Sequence, residues 1–130
     1  MLLGSLAARF GHGLLIIAAP ESRDSHDNWD AAREPVHAGP DSIYVGVQQA
    51  ASGIVSVECY EEQDVDAGLA GIYSGQLNLP SKKFIVYDPN ETVLLTILTD
   101  SAQVHVSLFS DDADEPTRVL IYVRNASAKS

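Results

Sequence analysis

Val104-His105-Val106-Ser107-Leu108 alternates apolar and polar residues at every step. In a pleated strand successive side chains point to opposite faces, so Val104, Val106 and Leu108 share one face and His105 and Ser107 the other. One face is thus made for a core and the other for water. The same alternation recurs outward from this stretch in both directions. It predicts strands over Ile43–Val47, Ile54–Tyr60, Ile72–Leu79, Phe84–Tyr87, Val93–Leu98, Val104–Phe109 and Arg118–Val123, and the continuous apolar run Gly13–Ala19 reads as a further strand. Gly53, Pro80-Ser81, Asp88-Pro89-Asn90, Asp100-Ser101 and the run Asp111 to Pro116 supply the turns between them.

Short strands at this spacing predict an all-β chain: an antiparallel two-sheet β-sandwich of about seven to nine short strands, because a lone sheet would leave one apolar face wet. Phe84-Ile85-Val86-Tyr87 and Val93-Leu94-Leu95 are apolar on both faces and are expected at sheet centres. The core is expected from Val55, Val57, Cys59, Leu77, Leu79, Val104, Val106, Leu108, Val119, Ile121 and Val123. Residues 1–123 are read as one domain. Residues 20–41 form a long polar loop pinned by Trp29, the single tryptophan, and 124–130 a flexible tail.

Among 130 residues, eighteen Asp and Glu face eight Lys and Arg, for a net charge of −10. Such a chain repels the phosphate backbone of nucleic acids and the anionic face of a membrane. Lys82, Lys83, Arg118 and Arg124 are too dispersed to form a nucleic-acid surface. A basic protein or a cation is the partner this charge favours, and solubility is the simpler use for it. Cys59 is the only cysteine and lies in phase with Val55 and Val57, which suits a core position and a reducing, cytoplasmic setting. The start of the chain is superficially leader-like. It lacks a cationic segment ahead of its apolar part, and Arg9 and His12 interrupt it, so Gly13–Ala19 is read as a buried strand. Asn90-Glu91-Thr92 and Asn125-Ala126-Ser127 match glycosylation sequons, which matter only in a secreted eukaryotic chain.

Two acidic clusters stand out: Glu58, Glu61, Glu62, Asp64 and Asp66, and then Asp111, Asp112, Asp114 and Glu115. Both can be solvated turns. As functional elements they form a negative face for a basic protein, since complementary charge speeds encounter and excludes wrong partners. A calcium site is the alternative, for that ion takes six to eight oxygens, but the spacing matches no defined calcium loop. His12, His26, His37 and His105 are too scattered for a zinc pair, although His26 lies between Asp24 and Asp27. No Gly-x-Ser-x-Gly elbow and no glycine-rich loop entering a helix occurs, so nothing calls for a cofactor. Carboxylate pairs could serve acid–base catalysis, but sequence does not show which of them meet.

Asp41-Ser42-Ile43-Tyr44-Val45, Gly53-Ile54-Val55-Ser56-Val57, Tyr73-Ser74-Gly75-Gln76-Leu77-Asn78-Leu79-Pro80-Ser81 and Thr117-Arg118-Val119-Leu120-Ile121-Tyr122-Val123 follow one another in an order that resembles a class of small bacterial β-sandwich proteins. The class includes the competence-type nuclease inhibitor, a small acidic protein that holds a nuclease silent, and immunity proteins of similar build. The resemblance spans His37 to Val123 and carries no site residues with it. It implies a non-enzymatic protein whose acidic face covers a basic partner such as a nuclease or toxin. The alternative is a calcium-dependent or small-ligand-binding sandwich.

Overall fold

The computed structural model describes residues 2–23, 35–61, 69–91, 94–112 and 115–125. Their strands are β1 (Leu2–Ala8), β2 (Leu14–Ala18), β3 (Val36–Ala38), β4 (Ser42–Gly46), β5 (Val55–Glu61), β6 (Ala70–Asn78), β7 (Lys83–Tyr87), β8 (Leu94–Leu98), β9 (Gln103–Ser110) and β10 (Arg118–Asn125). They form two five-stranded sheets, in the orders β1-β5-β10-β9-β6 and β3-β4-β2-β7-β8. The fold is the expected β-sandwich, with ten strands among the described residues rather than seven to nine.

Two of those strands escape the alternation rule. Leu2-Leu3-Gly4-Ser5-Leu6-Ala7-Ala8 is too apolar to alternate, yet it pairs with β5 through a register irregularity between Leu2 and Gly4. Gly4 lets the corner close: a Cβ there would sit 2.9 Å from Ile97 Cδ1 and 3.3 Å from Leu95 Cδ1. The edge of the first sheet therefore packs onto β8, the edge of the second. β3 has only three residues, too few to show a period, and pairs with β4 inside the 20–41 stretch. Trp29 and His26 lie outside the described residues. β10 continues to Asn125, two residues past Val123.

One pairing departs from an antiparallel plan. β10 runs parallel to β5, with Val119 opposite Val57 and Ile121 opposite Cys59, and antiparallel to β9. Parallel neighbours need a long connection, and β6 to β9 all lie between these two in the chain. As the middle strand of its sheet, β10 is buried from Val119 to Val123 on both faces, which explains its unbroken apolar run. In the second sheet β7 lies between β2 and β8, as its two-sided apolar character predicts, but β8 is an edge. Its inward Ile97 is buried by the core and its Leu95 packs against it, while Leu98 is 73% exposed; Val93 lies outside the described residues.

All eleven expected core residues are buried, joined by Phe10, Leu15, Ile17, Ile43, Val45, Phe84 and Val86 from the second sheet and its approaches. The fully buried Asp88 is satisfied in part by the backbone N–H of Gly11, which donates to its Oδ2 at 3.0 Å. That bond ties the turn before β2 to the end of β7, and a buried carboxylate without such donors would be costly.

Candidate protein-binding surface

The outward residues of β5 alternate with its buried Val55, Val57 and Cys59, so Ser56, Glu58 and Tyr60 face away from the core. The parallel register places Arg118 opposite Ser56, and its Nη2 donates to Glu58 Oε1 at 3.1 Å. Both side chains keep substantial exposure, 43% and 27%. Such a surface pair is worth at most about 1 kcal/mol.

The second acidic cluster is a constructed turn. Asp111 follows β9, and its carboxylate accepts the backbone N–H of Thr117 at 3.0 Å, that of Arg118 at 3.1 Å and the Thr117 hydroxyl. The little burial it has works to raise its pKa. Hydrogen bonds from the Thr117 hydroxyl and the Thr117 and Arg118 backbone outweigh that and hold the carboxyl below the ordinary aspartate value. Asp112 Oδ1 accepts the Glu115 N–H at 3.0 Å. This is the local side-chain-to-backbone chemistry that makes Asp a turn former.

Arg118 joins the two clusters, its N–H held by Asp111 and its guanidinium by Glu58. Glu58, Asp111, Asp112 and Glu115 thereby gather at the end of the first sheet where β10 begins. Glu61 does not join them. It lies three residues further along β5, roughly 10 Å away at strand rise, opposite Val123. Glu62, Asp64, Asp66 and Asp114 lie outside the described residues.

Between the two ends, an aromatic row crosses three strands of the outer face. Tyr60 of β5 stacks on Tyr122 of β10 with centroids 5.6 Å apart. Phe109 of β9 meets the same ring edge-on at 5.5 Å. Phe109 also lies over Gly71 of β6, where a Cβ would be 3.3 Å from the ring. Cross-strand aromatic pairs stabilise a sheet, and here Tyr122 is itself buried, so the aromatic surface beside the acidic end comes from the half-buried Tyr60 and Phe109 that cover it. Sequence reasoning passed over this row, although each member sits one step out of phase with a core residue: Tyr60 after Cys59, Phe109 after Leu108 and Tyr122 after Ile121.

In comparisons with known proteins, no protein-family profile and no curated protein matches the chain. Solved structures do share its fold. One is the crystal structure of ComJ, inhibitor of the DNA degrading activity of NucA, from Bacillus subtilis: TM-score 0.69 at 7% identity, covering 97% of this chain and 98% of that one. Another is the crocagin biosynthetic gene J product, with TM-score 0.53 at 13% identity over 94% of each chain. At these identities the likeness is one of fold.

The remaining chemistry-bearing residues do not assemble a reactive centre among the described residues. Ser74 Oγ lies 3.0 Å from His105 Nε2 on the exposed outer face of β6 and β9. No described carboxylate hydrogen-bonds that histidine, whereas an activated serine needs its base oriented by a third group. Cys59 is fully buried, and desolvation pushes its thiol up to about 12, far from a nucleophilic thiolate. No group of three or more His, Cys, Asp or Glu is placed to hold a metal ion among the described residues. No helix among them is long and apolar enough to cross a membrane. What the outer face of the first sheet offers instead is aromatic contact area with carboxylates at its margin.

Proposed function

We propose that this chain is a non-enzymatic binding protein of inhibitor or immunity type, which covers a basic protein partner such as a nuclease with the outer face of its first sheet. The observation that carries the reading is the pair of half-buried rings Tyr60 and Phe109, seated on the buried Tyr122, beside the acidic end formed by Glu58, Asp111, Asp112 and Glu115. Protein interfaces concentrate aromatic residues at their centre and charge at their rim. The net charge of −10 supports a partner of basic character. The fold shared with an inhibitor of a nuclease's DNA degrading activity supports the same class of role.

The test is association kinetics with the partner recovered from the native host. Screening limits surface charges to about 8 Å at physiological salt, so association slows as salt rises. Neutralising Asp112 and Glu115 together lowers the association rate several-fold and flattens its salt dependence, while the dissociation rate changes less. Asp111 is left intact because three donors converge on its carboxylate, whereas Asp112→Asn keeps the Oδ1 that accepts the single Glu115 N–H. An acidic partner, or an association rate indifferent to salt and to the double neutralisation, would refute the reading.

A further inference from the structure

Glu61 belongs to the inward phase of β5, in step with Val55, Val57 and Cys59, but it comes after the core has ended. There it lines a cleft of about 210 Å³ with Leu3, Leu98, Asp100 and Val123 among its walls. The cleft opens where β5 and β10 finish, beside the corner at which β1 meets β8. The β8–β9 turn brings in Asp100, and Asn125 holds that turn by accepting the Asp100 and Ser101 N–H groups at 2.9 and 3.2 Å.

Three properties define what such a cleft takes. Its size lies below the roughly 300–1,000 Å³ of a site for a drug-sized ligand and suits a single side chain. Its accessible apolar surface comes from Leu98, at 73% exposure, and the half-buried Leu3, above the buried Val123. Its two carboxylates, Glu61 and Asp100, have no hydrogen-bond or ion-pair partner among the described residues for their side-chain oxygens. Both line the same cleft, so a cation entering it meets two carboxylates of opposite sign to its own.

We propose that this cleft receives an arginine side chain of the basic protein partner, its methylenes against Leu3 and Leu98 and its guanidinium between Glu61 and Asp100. Long basic side chains bury their stems on apolar surface while their heads stay with polar groups. The planar guanidinium presents five donors in a fork and can serve two carboxylates at once, which an ammonium does less well. The inference rests on the reading of the chain as a binder of a basic protein, and it adds a second anchor at the far end of β5 from Asp112 and Glu115.

The first probe is N-acetyl-arginine amide, titrated into the isotopically labelled chain at constant ionic strength, with N-acetyl-citrulline amide as its uncharged counterpart. Saturable shifts are expected at the backbone amides of Glu61, Leu98, Asp100 and Val123 with arginine and not with citrulline. The pair Glu61→Gln and Asp100→Asn is expected to weaken arginine binding about tenfold. Absence of a saturable shift, equal binding of citrulline, or undiminished affinity in the double variant would overturn the assignment. The same double variant is then tested against the basic partner. A loss of about tenfold or more in affinity supports the anchor, and unchanged affinity overturns it while leaving the reading of a basic partner intact. If no basic partner exists and the arginine probe still binds selectively, it is that reading that fails.

Discussion

Asp111 shows how a residue that looks like part of a charged patch is committed to structure. Three donors converge on its carboxylate, and its folded pKa lies below the ordinary value. A depressed folded pKa contributes stability that is fully present above the unfolded value near 3.9 and is lost as pH falls through the folded one. Asp111→Asn is therefore expected to lower stability at neutral pH, by at most about 1 kcal/mol given its exposure and solvent screening. The gap from wild type should close below about pH 4, as urea midpoints measured across pH will show. A gap that persisted into acid would mean that the carboxylate charge contributes nothing. Cys59 makes the opposite case. With its thiol pushed up to about 12 and no exposure, it should resist iodoacetamide at pH 8 in the native state and react promptly in denaturant. Native-state labelling at the denatured rate would contradict its burial.

At the scale of the element, alternation predicts each side chain's role when the strand has one wet face. Leu108 of β9 is fully buried against the other sheet, so Leu108→Ala should cost about 2–5 kcal/mol in denaturant unfolding. Leu98 of β8 is also a strand leucine, but at 73% exposure Leu98→Ala should cost less than about 0.5 kcal/mol. Similar losses at both positions would show that the sidedness of β8 is misassigned. Strands buried on both sides, or too short to alternate, are not legible in this way. β10 reads as a continuous apolar run because neighbours flank it on both edges and Tyr60 and Phe109 meet its outer face. β1 and β3 carry no period at all, and only their pairing with β5 and β4 defines them.

For the whole molecule the dominant long-range quantity is the charge of −10. Self-repulsion on that scale opposes compaction, and added salt relieves it. Raising sodium chloride from low to physiological strength should raise the melting temperature by about two to six degrees, equivalent to roughly 1 kcal/mol. Calcium at matched ionic strength should add nothing, because only a ligand that prefers the folded state stabilises it beyond screening. A further rise with calcium, lost in Asp112→Asn, would instead establish the calcium-dependent alternative.

The strands, their inward faces and the eleven core residues from Val55 to Val123 were legible in the sequence because the pleat is local: two residues suffice to set which face a side chain occupies. Tertiary structure decided which distant positions meet. Glu58 found Arg118 sixty residues away because β10 inserted parallel to β5, a choice invisible in either strand alone. The same insertion set Val123 opposite Glu61, whose separation from Glu58 is already fixed by the pleat of β5, three residues apart and on opposite faces. The cleft of Glu61 and Asp100 arose because strand ends and a turn from four separate segments converge there. Periodicity is a property of neighbours in the chain, whereas register, sheet partner and the direction a turn faces are set by long-range pairing.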